Sequence, residues 1–208
     1  MDTIDLSKIK IKLHDKKIDL SEFSCEDRDL DEFLKEDSIK QKDFMLNSTY
    51  IATYKNEIIG FFTISTDNIP LKSLGRNYKK LFKEKNIKYE KLPALKIGRL
   101  GVKKDFQNKG VGIYLLKSII NKSINLWSKN TGFRFITINA YPKYHVINFY
   151  EKLSCENIIS KEGKEKRIKK YEKAMKRKDY GTANKITIPL FRDLYQLKIS
   201  HRQKDHDP

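Results

Sequence analysis

The most informative part of this 208-residue chain is an apolar segment that passes through a turn into a helix, residues 98–116, GRLGVKKDFQNKGVGIYLL. The alternation before the turn is typical of a strand, and the spacing after it is typical of a helix. The first N–H groups of a helix lack intrahelical partners, and glycine lets a ligand approach the backbone closely. The turn therefore predicts a binding site for a pyrophosphate, formed by Gln107, Asn108, Lys109, Gly110, Val111 and Gly112.

Two other phosphate-binding motifs do not fit this turn. The P-loop requires Gly-Lys-Ser/Thr, and the dinucleotide fingerprint requires Gly-x-Gly-x-x-Gly. Residues 107–112 contain neither motif. The alternative is a plain strand-to-helix turn, in which the glycines serve only to allow a positive φ.

The segments on either side of the turn predict a βαβ unit. Residues 94–102 and 133–140 are typical of strands, and 110–128 repeat apolar residues at helical spacing. Such a crossover joins parallel strands. Elsewhere the patterns predict strands at 9–13, 49–54, 58–65 and 186–191, helices at 27–44 and 146–153, and a short helix near 78–82 within a polar connection from 66 to 93. Pro189 favours a place near the sheet edge for the last strand.

The charge of the chain points to a polyanionic partner. Its formal net charge is +17, from 44 Lys and Arg against 27 Asp and Glu. Such a surplus favours nucleic acid as a partner, although a lysine-rich composition without a binding role explains the charge equally well. The strongest concentration lies in a predicted basic amphipathic helix at about 161–180, with Ile168, Tyr171 and Met175 as its apolar stripe.

Cysteine usage and hydropathy limit the class of protein. Cys25 and Cys155 are far apart and lack metal-ligand spacing, so we expect free thiols, a reducing cytoplasm and no metal site. The N-terminus does not have the pattern of a signal peptide, and no apolar run is long enough to span a membrane. We expect a cytoplasmic protein of one domain over residues 1–200, followed by a frayed tail at 201–208.

The order of these elements and several motifs resemble the GCN5-related N-acetyltransferases, the GNAT family. Within that family the chain is similar to bacterial toxins that acetylate aminoacyl-tRNA. The turn resembles the family's Q/R-x-x-G-x-G/A loop, and residues 92–102 resemble its Pro-x-x-x-x-Gly-Arg-Leu-Ala-Val strand. Residues 148–152 resemble its Phe-Tyr-x-Lys segment, and 187–190 resemble its closing Thr-x-Pro-Met strand. The resemblance covers about residues 8 to 195, and the basic helix is an insertion relative to the toxins.

The resemblance implies an α/β fold and an acetyl-CoA site. The expected fold is a central, mostly antiparallel sheet with one parallel, splayed strand pair, flanked by helices. Leu100, Gly101 and Val102 would offer backbone partners to the pantetheine arm of acetyl-CoA, and residues 107–112 would surround its pyrophosphate. Asn139, at the end of the second parallel strand, would hydrogen-bond the pantetheine, unless it is an ordinary residue at the end of a strand.

Tyr150 is the predicted general acid. A phenol with a pKa near ~10 stays protonated at neutral pH and can donate its proton to a departing thiolate. The alternative is a tyrosine that packs at a helix with its hydroxyl at the surface. His145 is close in sequence, yet a lone histidine before a short helix is more often incidental.

No carboxylate occurs in residues 94–102, where many lysine and polyamine acetyltransferases carry a glutamate base. A lysine titrates near ~10.4 and needs a base, whereas an α-amine titrates near ~7.7–8.0 and is partly neutral at pH 7. The missing base therefore favours aminoacyl-tRNA as acceptor, with Glu57, Glu90 or a water chain as other possible bases.

The partners that the resemblance implies are acetyl-CoA, aminoacyl-tRNA, a ribbon-helix-helix antitoxin and, as is common in the family, a second copy in a homodimer. Two other functions fit the sequence. One is acetylation of a protein N-terminus or a small amine, and the other is a non-catalytic GNAT-like module that binds RNA.

Overall fold

The computed structural model describes residues 4–129, 131–195 and 197. The strands within them are β1 Lys10–Leu13, β2 Ser48–Tyr54, β3 Glu57–Pro70, β4 Lys91–Val102, β5 Phe135–Ala140, β6 Glu156–Asn157 and β7 Ile188–Asp193. The helices are α1 Arg28–Glu32, α2 Ser38–Asp43, α3 Arg76–Glu84, α4 Val111–Lys129, α5 Tyr144–Glu151, α6 Lys161–Lys176 and α7 Tyr180–Ala183. A π-helical turn, Phe33–Asp37, joins α1 to α2.

The strands that lie in the described part of the chain form one mixed sheet in the order β1-β2-β3-β4-β5-β7-β6. Antiparallel pairing joins β1 to β2, β2 to β3, β5 to β7 and β7 to β6, while β4 and β5 are parallel. The predicted α/β fold and its parallel pair around the long helix are thus confirmed.

The chain divides into two compact units, which are described separately below. The first unit comprises residues 1–66 and 96–129, and the second comprises residues 67–95 and 130–208. One domain over residues 1–200 stays a prediction, and the predicted tail at 201–208 lies outside the described residues.

The first unit is built on an aromatic core beneath the hairpin of β2 and β3. Phe23 and Phe33 pack against Phe61, with ring centroids 5.7 and 6.4 Å away. Lys55 and Asn56 form the two-residue turn of the hairpin, and both have positive φ, 49° and 66°. Positive φ at both positions gives the turn a twist that matches the twist of the strands. This turn fixes the register of the hairpin.

The second unit has its main core between α3 and the ends of β3, β4, β5 and β7. Phe82 of α3 packs there with Phe135 and Phe191, among other buried apolar residues. Beside them, the guanidinium of Arg134 donates two hydrogen bonds to Asp193, at 3.0 and 2.7 Å. The connection 66–93, predicted as a polar segment with a short helix, is mostly regular structure because β3 runs on to Pro70 and β4 begins at Lys91.

In the second unit, β7 lies near the edge of the sheet, as Pro189 predicts, with the two-residue strand β6 outside it. The carbonyl of Pro189 accepts from Ile158 N–H just beyond β6, and because proline has no N–H to return to Ile158, the pairing with β6 ends at this position. In α6, Ala174 takes the buried place next to Tyr171 that was predicted for Met175, which is 37% exposed.

Candidate active site

The first unit presents a row of backbone donors between β4 and α4. The N–H of Tyr114 bonds to the carbonyl of Gly110 and makes the first hydrogen bond of the helix. Among the residues that the structure describes, the N–H groups from Asn108 to Ile113 have no hydrogen-bond partner. These unpaired donors and the positive end of the helix dipole form a site suited to a pyrophosphate.

Two left-handed residues give the turn its shape. Asn108 has φ 59° and Gly110 has φ 82°. A Cβ at position 110 would come no closer than 3.5 Å to Leu6 Cδ1, which is ordinary contact. Glycine is therefore required at this position by the backbone conformation rather than by lack of space. Alternation of left-handed and ordinary conformations turns successive N–H groups towards one point, as in other anion-binding concavities.

Gln107 stabilises the turn through hydrogen bonds to backbone carbonyls of the first unit. Its side-chain Nε2 donates to the carbonyls of Val102 and Cys25, both at 3.0 Å, and its own N–H donates to the carbonyl of Lys104 at 3.1 Å. These bonds connect the end of β4 to the segment before α1. Gln107 therefore fixes the loop within the first unit, and a direct contact of Gln107 or Val102 with acetyl-CoA stays a prediction.

Gly101 lies at the position where the family pattern usually has alanine. Close packing of the first unit's aromatic core explains why glycine occurs here. A Cβ at this position would lie 2.6 Å from Cε1 of Phe61, which is fully buried. Phe61 is fixed by the rings of Phe23 and Phe33, so it has no room to move away. Absence of a side chain at position 101 thus lets β4 pack closely against β3.

The three lysines near the turn differ in their partners. Lys103 forms an ion pair with Glu57 at 2.7 Å, and Lys104 forms one with Glu26. Lys109 is exposed and has no carboxylate partner among the described residues; its Nζ lies 5.8 Å from the centre of the Phe106 ring. Lys109 is therefore the lysine of this group whose charge is available to an anion. Glu57, weighed as a base, is occupied by its pairing with Lys103.

Tyr150 lies on α5 in the second unit. Its side chain is 8% exposed, and its ring contacts Phe149 edge to face at a centroid distance of 4.9 Å. Its hydroxyl has no hydrogen-bond partner among the described residues. Burial, with a smaller contribution from the nearby Cys155, raises the pKa of Tyr150 well above its ordinary value. The phenol therefore keeps its proton throughout the neutral range, as a general acid requires.

The helix that carries Tyr150 is braced by the basic helix α6. Glu151 Oε1 accepts hydrogen bonds from Asn157 at 2.7 Å and from Lys164 of α6 at 3.1 Å, and these bonds lower the pKa of Glu151. The hydroxyl of Tyr144 donates to Glu165 of α6 at 2.8 Å. Helix α6 is therefore attached to both ends of α5. His145, on the same helix, is exposed.

Both cysteines are free and buried. Burial, followed by the hydrogen bond to Asp31, raises the pKa of Cys25 to about 12, and burial raises the pKa of Cys155 to about 11. A buried thiol with a raised pKa is a poor nucleophile at neutral pH. Over the described residues, no group of His, Cys, Asp and Glu is arranged to hold a metal ion.

The sequence itself matches a family of enzymes. The sequence model of the Acetyltransferase (GNAT) family matches residues 16–154, more than half of the chain. The chain belongs to the GNAT acetyltransferases. This membership confirms the predicted family and the predicted activity, acetyl transfer from acetyl-CoA. A comparison with curated protein sequences finds no match.

Solved structures with this GNAT fold include two proteins that resemble the chain over nearly their whole length. AtaT complexed with acetyl-methionyl-tRNAfMet is 18% identical, with a TM-score of 0.70 over 93% of this chain and 99% of that one. A Tyr-to-Phe variant of KacT is 17% identical, with a TM-score of 0.69 over 92% and 98%. AtaTR bound with AcCoA is 18% identical, with a TM-score of 0.67 over 94% and 99%. These likenesses confirm the fold.

No helix in the described ranges is long and apolar enough to cross a bilayer.

The structure reveals a carboxylate that the search of β4 missed. Asp67 accepts a hydrogen bond from the hydroxyl of Thr137, and Asn139 follows two residues later on β5. The sequence predicts that the strand beginning at residue 58 ends at Ser65, which places Asp67 in the connection that follows rather than in the sheet. Asp67 and Ile69 are two residues apart and so lie on one face of the strand, yet one is polar and the other apolar, so the alternation gives no signal that extends the strand past Ser65. Asn139 is exposed, and its contact with pantetheine stays a prediction.

Proposed function

We propose that this acetyltransferase is a toxin that acetylates the α-amine of aminoacyl-tRNA and so blocks translation. The observation that carries the proposal is the likeness to AtaT, seen in complex with acetyl-methionyl-tRNAfMet, over 93% of this chain and 99% of that one. A second toxin-like neighbour, KacT, agrees with AtaT in fold over a similar share of the chain. Such a reaction would take place in the cytoplasm, the compartment expected from the sequence.

The basic helix α6 supports a nucleic-acid substrate. Ile168, Tyr171 and Ala174 are buried, and this burial anchors the helix in the second unit. The opposite face exposes a run of cations: Lys161, Lys166, Arg167, Lys169, Lys170, Lys173 and Lys176. A helix that keeps so many positive charges in solvent suits a phosphate backbone, which lysines bind with little sequence preference.

The chemistry divides between backbone donors and one phenol. When bound, acetyl-CoA supplies the acetyl group; the N–H groups of 108–113 would hold its pyrophosphate, and Leu100, Gly101 and Val102 would direct the pantetheine. The amine nitrogen forms a bond to the acetyl carbon while the carbon–sulfur bond breaks. The nitrogen loses one proton to water, and Tyr150 donates a proton to the departing sulfur, so the products are the amide and the free thiol; Tyr150 then regains a proton from water.

Two protein partners belong to the same proposal. A toxin in a growing cell needs an antitoxin, and AtaT is known bound to the C-terminus of the antitoxin AtaR. We propose an antitoxin of the ribbon-helix-helix class for this chain, and a homodimer as its assembly. Co-expression with the neighbouring gene and size-exclusion chromatography with light scattering test both.

The deciding experiment incubates the purified protein with labelled acetyl-CoA and a pool of charged tRNA, then follows the label by mass. We expect label on the α-amine of aminoacyl-tRNA and loss of label in Tyr150→Phe. Binding of acetyl-CoA without label on tRNA would contradict the proposal and direct the search to protein N-termini and small amines. No binding of acetyl-CoA would favour the non-catalytic module.

A further inference from the structure

We infer that Asp67 is the residue that binds the amine of the acetyl acceptor and gives the enzyme its preference for an amine over a hydroxyl. The inference rests on the proposed function and names a part of its acceptor site. It starts from a hydrogen bond between two neighbouring parts of the second unit, where Asp67 of β3 meets Thr137 of β5.

Thr137 fixes the position of the carboxylate. Its side chain is only 7% exposed, and its hydroxyl donates to Oδ2 of Asp67. The carbonyl of Leu95 on β4 is the other acceptor close to this hydroxyl, at 3.5 Å. A carboxylate held by a buried residue of a central strand has little freedom, so its second oxygen, Oδ1, keeps a defined direction.

The second oxygen has no partner from the protein. Among the residues that the structure describes, Asp67 accepts the bond from Thr137 and forms no ion pair. Some carboxylates elsewhere on the surface, such as Asp43 and Glu57, are paired with lysine, whereas Asp67 is not. Its Oδ1 is not enclosed by the described residues, so a ligand with an N–H group can donate a hydrogen bond to it.

The position of Asp67 connects it to the reaction. In a strand, residues two apart lie on one face, so Phe135, Thr137 and Asn139 share a face of β5, as Asp67 and Ile69 share a face of β3. Phe135 and Ile69 belong to the apolar core under α3. Beyond that core the face becomes polar at Asp67 and Thr137 and ends at the exposed Asn139, the predicted pantetheine contact.

An amine is the acceptor chemistry that this arrangement recognises. A carboxylate oxygen accepts a hydrogen bond from an amine in either protonation state and gains most from the ammonium form. A hydroxyl in the same place donates one neutral O–H and gains less. Asp67 would therefore discriminate an α-amino group from an α-hydroxyl group on otherwise identical acceptors.

A binding cycle tests this role without depending on acetyl transfer. A charged tRNA and the hydroxyacyl-tRNA made from it by deamination differ only at the group in question. Their Kd values are measured in the presence of CoA, which supplies no acetyl group, for the wild type and Asp67→Asn. We expect the wild type to bind the amino form about tenfold more tightly and the variant to distinguish the two forms less than twofold.

Matched variants separate charge recognition from structure. Glu84→Gln removes the same charge from an exposed carboxylate of α3 in the second unit, and should keep the tenfold preference. Thr137→Val keeps the carboxylate of Asp67 but removes the hydrogen bond that holds it, so it should reduce the preference partly. This variant also tests the inference if Asp67→Asn folds poorly. Unchanged affinity for acetyl-CoA shows that each variant retains its fold. Equal preferences in wild type and Asp67→Asn would overturn the inference.

Failure of the proposed function has a different outcome. If the wild type binds neither charged nor hydroxyacyl-tRNA, the proposed substrate is wrong, and the cycle is repeated with a primary amine and its alcohol analogue in a CoA-release assay. An amine preference that disappears in Asp67→Asn supports the role of Asp67. No such preference in the wild type overturns it.

Discussion

The turn at 107–113 and the segment from α5 to α6 present different kinds of chemical groups. The turn offers backbone N–H groups, and its shape depends on two positive φ angles and on the bonds that Gln107 makes inside the first unit. In the second unit, side chains act: the buried phenol of Tyr150 and the exposed cations of α6. Truncation of side chains should therefore have little effect on binding by the turn, whereas a change of its backbone conformation should weaken binding. In the second unit, truncation of the side chains should have the larger effect.

The largest expected effect is that of Tyr150→Phe. Removal of a general acid costs about 10²- to 10⁴-fold in rate, so kcat should fall by that factor while the Kd for acetyl-CoA stays unchanged. Because burial raises the pKa of Tyr150, kcat of the wild type should show no loss of the acid between pH 7 and about 10. Steady-state kinetics with isothermal titration calorimetry checks both statements.

Tyr144→Phe is the matched control for that variant, since it removes an exposed hydroxyl from the same helix. It should leave kcat within about twofold. Equal losses of kcat from Tyr144→Phe and Tyr150→Phe would mean that both substitutions disturb the structure of α5. The proposed role of the Tyr150 hydroxyl would then be wrong.

Gly101→Ala tests how tightly the backbone of β4 is fitted. Its Cβ would be 2.6 Å from Phe61, so we expect a loss of about 1–3 kcal/mol in the free energy of unfolding, measured by urea titration. In Gly101→Ala combined with Phe61→Leu, the two costs should be less than additive because the smaller side chain makes room. Gly132→Ala, where a Cβ meets nothing within 4 Å, should change stability by less than about 0.5 kcal/mol. Strict additivity would show that the ring of Phe61 does not exclude a side chain at position 101.

Neutralising the exposed face of α6 tests the role of side-chain charge. The variant with Lys166, Lys169, Lys170 and Lys173 changed to glutamine should bind tRNA about tenfold more weakly at moderate salt, with a shallower dependence of log K on log salt. Its affinity for acetyl-CoA should not change. The control changes four exposed lysines of the first unit to glutamine, namely Lys17, Lys40, Lys55 and Lys117. An equal loss in both variants would mean that the positive charge acts through the whole surface.

The smallest effects separate conformation from charge within the turn. Gly110→Ala forces a side chain into φ 82° at a cost of about 1–2 kcal/mol, so affinity for acetyl-CoA should fall about five- to tenfold. Lys109→Ala removes an exposed cation and should cost only about two- to threefold. If Lys109→Ala costs more than Gly110→Ala, the site depends on charge rather than on the backbone.

Much of this arrangement was predictable because it is local. The strand, turn and helix at 98–116 follow from apolar spacing and from glycines placed at the turn. The basic helix follows from one apolar stripe among lysines, although the buried residue was Ala174 rather than Met175. The π-helical turn at Phe33–Asp37 left no sequence signal, since one inserted residue hardly changes the helical pattern.

The sequence by itself determined the family, the parallel strand pair and the glycine-containing turn before the long helix, because each depends on residues close together along the chain. Only the tertiary structure decided that Gln107 is used within the protein, that Gly101 is required by Phe61, and that Thr137 holds Asp67 without a cation beside it. These facts join residues 40 to 82 positions apart, and no local pattern encodes which distant side chain fills a given space. Packing of the strands brings these residues together.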